Sequence, residues 1–290
     1  SSLIVFMSRR IILYIIYFII PYQFLFGQTQ NAKKKVDQVI YMIGNTGNKK
    51  GADYTVLKGM SEQLKSEKDS STVLFLGNLF PRNFFPKSMN QPELYLDNNE
   101  FTDILYEIEK NTDNVFVNPG PMEWTLGNKT GYQAVTSYEE LIENYLFSED
   151  SFLPDLGCPG PEEVEIGNNT VLLFIDTQWW LNRELKNVDW LNQECEYEGT
   201  GDLLLQLKDA INYHEGKHII VIGHHPIMSY GKHNGYLPAY IHFTPPVFGS
   251  IHVLYKNVVG YQQDFANPAY KSLVRGLKAI FEGDQNVVYL

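Results

Sequence analysis

Three of the chain's seven histidines, His224, His225 and His233, fall within the single segment GHHPIMSYGKH. Histidines grouped in this way serve as metal ligands, acid–base groups or phosphate contacts, and the alternative for each is a satisfied structural ring. Other polar residues stand just after short apolar runs: Asn45 behind Gly44, Asn78 behind Gly77, Glu123 in Gly120–Pro121–Met122–Glu123, and Asp176 with Gln178. Position gives these residues their interest, because in open α/β folds ligands bind at the carboxyl ends of strands, where loops converge. Asp176 either positions a ligand or hydrogen-bonds its own turn. Trp179 and Trp180 either line a pocket or pack as core.

The elements that must hold these residues are readable from the hydrophobic pattern. Val39 to Ile43, Val73 to Leu76, Val115 to Val117, Val171 to Ile175, Ile219 to Ile222 and Val287 to Leu290 are short apolar runs rich in β-branched residues. Runs that lack polar alternation read as strands covered on both faces. Helical stretches are expected between them, at Asp53 to Lys68, Asn99 to Lys110, Ser137 to Phe147, Asp202 to His214 and Pro268 to Gly283. Leu203, Leu204, Leu207, Ala210 and Ile211, for instance, recur three and four residues apart and give one apolar face. Strand and helix alternate, so the class is α/β with mostly parallel strands. Residues 79–98 and 226–268, rich in Pro, Asn and Tyr, read as long loops, and the second is aromatic enough to form either a protein-binding surface or its own small core.

With 44% hydrophobic and 20% charged residues among 290, the chain can bury a full core. Its net charge of −11 repels phosphate backbones and anionic lipid, which disfavours nucleic acid as a partner. Arg9 and Arg10 precede the unbroken apolar stretch Ile11 to Ile20, and a small residue, Gly27, closes the region. That order is the order of a secretory signal, and Pro21 with Gln23 interrupts it short of the roughly 20 apolar residues a membrane span needs. Residues 1–27 are therefore expected to be a signal with upstream residues, 28–35 a linker, and 36–290 one folded domain. A retained anchor is the alternative. Export makes a Cys158–Cys195 disulfide permissible, with two buried free thiols as the other option.

The segments IGNTGN (43–48), LFLGNLFP (74–81), VNPGPMEW (117–124), LPDLGCPGPEEVEI (153–166), IDTQWWL (175–181) and VIGHHPIMSYGKHNG (221–235) together resemble the calcineurin-like metallophosphoesterases. The likeness is to the exported bacterial subgroup, some members of which carry an outer-membrane assembly-factor barrel. The resemblance runs from about residue 36 to the end and implies an αββα sandwich, two mixed sheets flanked by helices. It places the family's last Gly-His-x-His pair beyond the strand at Val287 to Leu290, so the domain is expected to be C-terminally incomplete relative to the family.

The family reaction uses two divalent metals, such as Mn, Fe or Zn, that clamp phosphoryl oxygens and generate a hydroxide. Carried over by motif, the metal positions are Asn45, Asn78, His224 and His233, and the catalytic positions are Met122 and His225. Pro121, Glu123, Asp176 and Gln178 line the same cleft. Asn45 and Asn78 stand where the family has Asp, and Pro121 and Met122 where it has Asn and His. Two metals bring four positive charges, which amides, a thioether and a proline do not neutralise. The expectation is a pseudoenzyme holding no metal or one weak divalent ion. Its role would be binding or scaffolding a protein partner in the cell envelope, in the periplasm or at an outer-membrane barrel, with membrane contact only through that partner or a retained signal. The alternatives are a phosphoesterase with a reduced metal site and a carrier of a small ligand.

Overall fold

The computed structural model describes residues 36–48, 54–66, 70–79, 100–112, 114–125, 131–146, 148, 150–182, 195, 197, 199–230, 264–265, 267–283 and 286–290. Residues 1–35, expected to be a signal and a linker, together with His233 and most of both expected long loops, lie outside the described residues. The chain divides into a unit Ser1–Asp37, of which Val36 and Asp37 are described and exposed, and a unit Gln38–Leu290.

In the second unit, β1 (Val39–Ile43), β2 (Ser71–Leu76) and β3 (Val115–Asn118) form a parallel sheet in that order. A second sheet has the order β4 (Glu162–Ile166), β5 (Thr170–Phe174), β6 (His218–Ile222), β7 (Val287–Tyr289). There β4 runs antiparallel to β5, and the other pairings are parallel. The described helices are α1 (Thr55–Leu64), α2 (Glu100–Glu109), α3 (Gly131–Leu146), α4 (Thr177–Leu181), α5 (Thr200–Tyr213) and α6 (Pro268–Phe281).

Side chains alternate across a strand, so each sheet has two apolar faces to cover. One set of alternates meets across the gap between sheets: Leu74 and Phe116 with Ile166, Leu172, Phe174 and Ile222, the Phe116 and Phe174 rings 5.6 Å apart. The other set, including Val73, Phe75, Val115, Val171, Leu173 and Val221, joins the apolar faces of the helices. Two sheets flanked by helices follow, a mixed α/β architecture. Asn118, at the end of β3, reinforces the join: its Nδ2 donates to Leu153 O at 3.1 Å and Ile175 O at 3.2 Å.

Every expected strand forms, with ends moved by one or two residues. The expected helix over residues 137–147 starts earlier, at Gly131. Two elements were not expected. Strand β4, EEVEI, hides because its Glu residues break the apolar run, and its pairing beside β5 supplies the sheet's antiparallel edge. Helix α4, TQWWL, is one short turn and a half, capped by Asp176. Among the described residues no helix is long and apolar enough to cross a membrane.

Cys158 and Cys195 form a disulfide with Cα atoms 5.5 Å apart, which decides between the two options left open by spacing. The bond closes a loop over a sequence separation of 37 residues. Loop-closure entropy at that length is worth about 4 kcal/mol. Urea unfolding with and without reductant is expected to show a loss of that order, and an unchanged midpoint would contradict a structural role for the bond.

Candidate functional site

One buried carboxylate fixes the floor of the cleft at the carboxyl end of the first sheet. Glu123, 1% exposed in the turn that follows β3, accepts three backbone hydrogen bonds. Its Oε2 takes Gly120 N and Asn78 N, each at 2.9 Å, and its Oε1 takes Leu79 N at 2.8 Å. The loops after β2 and β3 are therefore tied to each other through one side chain. Their backbones also touch: a Cβ on Gly77 would lie 2.9 Å from Gly120 Cα, and one on Gly120 would lie 3.0 Å from Asn78 N. Gly77, at φ +80, also needs the left-handed conformation that glycine adopts freely. Asn45 (φ 60) and Asn78 (φ 54) share that region, which asparagine tolerates better than most residues.

This loop arrangement aims Asn78 at three partners. Its Oδ1 accepts from Met122 N at 3.0 Å, its Nδ2 donates to Asn45 Oδ1 at 2.7 Å, and Nδ2 lies 3.4 Å from His224 Nε2. The His224 ring is oriented by its other nitrogen, 2.6 Å from Leu76 O. A carbonyl only accepts, so Nδ1 carries the proton and Nε2 presents a lone pair. Burial pushes the His224 pKa down, which keeps the ring neutral. The amide of Asn78 thus points its two N–H bonds at two acceptors, in the middle of the cluster.

The residues after β5 and β6 form a second, deeper group. Asp176 caps α4, accepting from Trp179 N at 2.9 Å and, through its other oxygen, from Trp124 Nε1 at 2.6 Å. Burial pushes its carboxyl up to about 7, against the pull of the N–H groups aimed at it. His225 is buried, its Nδ1 2.8 Å from Thr177 Oγ1 and its backbone N donating to that oxygen at 3.1 Å. Tyr289 Oη donates to His225 O and Tyr270 Oη to Pro226 O, both at 2.7 Å, which fixes the course of the Gly-His-His-Pro loop. A cavity of about 20 Å³ beside Asp176 is lined by Pro159, Ile175, Trp180 and leucines, room for a water and not a substrate.

Asn45, Asn78 and His224, expected from their strand-end positions, and Pro121 and Met122, expected from the motif resemblance, do gather at one place, with Asn45 exposed and Met122 and His224 half-buried. Glu123, expected to line that cleft, lies beneath it with both oxygens occupied. Asp176, Gln178 and His225 are buried supports, and Trp179 and Trp180 are core. Trp124, Thr177, Asn118, Tyr270 and Tyr289 were not anticipated. Trp124 and Thr177 merely adjoin chosen residues, and the two tyrosines carry no local signal at all. Among the described residues no three His, Cys, Asp or Glu side chains meet where they could hold a metal ion. No family model matches the chain, and neither a curated protein nor a solved structure does.

Replacing Glu123 by Gln would set an amide N–H against backbone donors. Glu123→Gln is expected to cost about 1–3 kcal/mol in urea unfolding, and a neutral outcome would contradict the pinning role. Asp176 gives a pH test. Its folded pKa of about 7 lies above its ordinary 3.8, so its contribution is complete at acid pH and is lost as pH rises through 7. Urea midpoints are expected to fall between about pH 4.5 and 8, and to fall less in Asp176→Asn. An equally steep fall in the variant would remove Asp176 as the source.

Proposed function

We propose that the chain carries a calcineurin-like metallophosphoesterase-fold domain of the αββα type whose inherited reaction is silent, and that the domain works as a binding or scaffold module in the cell envelope. The observation that carries the silent reading is the Asn78 amide, with Nδ2 2.7 Å from Asn45 Oδ1 and 3.4 Å from His224 Nε2. A bound cation needs lone pairs directed at it, and here an N–H donor fills the point on which the lone pairs converge. The carboxylate beneath the cluster, Glu123, spends both oxygens on backbone N–H groups. Asn45, Asn78, Met122 and His224 supply no anionic oxygen, so the described residues of the cleft do not fit two divalent ions.

Two facing sheets flanked by helices, with strand-end loops meeting in one cleft, support the fold-family part of the proposal. The Cys158–Cys195 bond supports export, since such bonds persist in oxidising compartments. Net charge −11 supports a protein partner over nucleic acid. Four and six residues after His224, Met228 and Tyr230 are 64% and 89% exposed, apolar surface of the kind interface cores use. One observation favours a second reading, a phosphoesterase with a single-metal site. His224 has its Nδ1 held by a carbonyl and its Nε2 presented, the orientation of a ligating histidine.

The full chain, supplied with Mn²⁺ or Zn²⁺, is expected to hydrolyse p-nitrophenyl phosphate no faster than its His224→Ala variant. Turnover that His224→Ala abolishes would establish the single-metal reading instead. Asn78→Asp puts a carboxylate oxygen against Asn45 Oδ1 and the His224 lone pair. In chelator it is expected to cost about 1–3 kcal/mol, with part of the loss recovered by Zn²⁺. A chain unaffected by the substitution would contradict the donor role of Asn78.

A further inference from the structure

At the amino ends of β6 and β7, the end of the second sheet opposite to His224, lies a pocket of about 540 Å³ at which α5 and α6 both end. Its volume is that of a small-molecule site. Ile211 on α5, Ile219 on β6 and Ile280 on α6 form its apolar part, the first two buried and the third half-buried. Ile219 N donates to Asn286 O at 3.0 Å, which joins β6 there to the chain entering β7. Gly216 and Gly283, just past the two helices, stand at the rim, and a Cβ built on either would meet nothing within 4 Å, which leaves the mouth open.

The charges around this pocket do not balance. Glu215 follows α5 and Glu282 follows α6, both exposed, while Lys208 is the one cationic side chain among the described lining residues. Lys217, the next cation along the chain, is spent on Glu165 at 2.7 Å, and Lys278 in the last turn of α6 is not part of the lining. Among the described residues neither Glu215 nor Glu282 has an ion-pair partner. A helix also presents the negative end of its dipole, about half an elementary charge, at its carboxyl terminus. Two such ends and two carboxylates therefore stand against one ammonium, in a chain whose net charge is −11. An anionic ligand is repelled there, and a bare metal ion would leave the isoleucine surface wet.

We propose that this pocket binds a small organic cation with an aliphatic body, a primary alkylammonium, its head group among Glu215, Glu282 and the two helix ends and its chain against Ile211, Ile219 and Ile280. The hydrocarbon covers apolar surface that water otherwise wets. The ammonium keeps part of its hydration at the open mouth, so it gains opposite charge without being fully desolvated. Lys208 opposes the ligand and limits its affinity. The pocket shares no residue with the Asn45, Asn78 and His224 cluster, so the proposal does not depend on the phosphoesterase reading.

Full chain with isotope-labelled isoleucine methyl groups is titrated with octylamine in low salt at about pH 7.5, where the amine is protonated. The expected result is one site per chain, a Kd on the order of 0.1–1 mM, and NMR shifts concentrated on Ile211, Ile219 and Ile280. Octanoate, equal in length and opposite in charge, is expected not to bind, and ethylamine to bind at least about tenfold more weakly because it covers less of the isoleucine surface. Glu215→Gln/Glu282→Gln, at two exposed positions, is expected to weaken octylamine about tenfold, and Lys208→Gln to tighten it about threefold. Absence of a saturable shift in the parent chain, equal binding of octanoate, or full affinity in the Glu215→Gln/Glu282→Gln chain would each overturn the proposal. An oligolysine peptide that shifts the same methyl groups where octylamine does not would overturn the small-ligand class in favour of a basic peptide.

Discussion

The cleft depends on a carboxylate turned inward. Glu123 lies under the loops that leave β2 and β3, and its two oxygens absorb three N–H groups that those loops cannot pair by themselves. A buried backbone donor left unpaired costs about as much as a lost hydrogen bond, so three in one place would open the loops. With them satisfied, Gly77 and Gly120 can pack backbone to backbone, and Asn78 is delivered to the one spot from which it reaches Asn45, Met122 and His224.

The chemistry of the cleft follows from the sign of the group at its centre. Asn45 Oδ1 and His224 Nε2 are both acceptors, and what stands between them must be positive or carry hydrogens. The Asn78 amide does the latter without importing charge. A carboxylate in its place would make three electron-rich groups face one another and would require a cation. An amide at this position therefore leaves the cleft satisfied without a metal, where a carboxylate would not. On the second sheet, Asp176 binds Trp124 and Trp179 N, Thr177 binds His225, and Tyr270 and Tyr289 bind the backbone that follows His224 and hold that loop in register.

Much of this was legible in the sequence. Apolar runs marked every strand except β4, where exposed Glu163 and Glu165 alternate with the inner-face residues Val164 and Ile166 and a half-buried Glu162 opens the strand, which masked the pattern. Strand-end position alone was enough to bring Asn45, Asn78 and His224 together, and the motif resemblance added Met122. Strand-end position left open whether Glu123 and Asp176 face a ligand or their own backbone: Asp176 takes the turn-capping option, and Glu123 turns inward to N–H groups that include two on a loop more than forty positions away. His225 differs from His224 only by the direction of its ring, which Thr177 sets. Cysteine spacing left the 158–195 pair open, since contact between sulfurs is a property of the folded chain.

Metal content bears on the donor-filled cleft most directly. Full chain dialysed against Mn²⁺ and Zn²⁺, washed, and measured by elemental mass spectrometry is predicted to hold well below one transition-metal ion per molecule. Two equivalents retained after washing would mean that the Asn78 amide yields its place to a dinuclear centre, and would contradict a silent cleft.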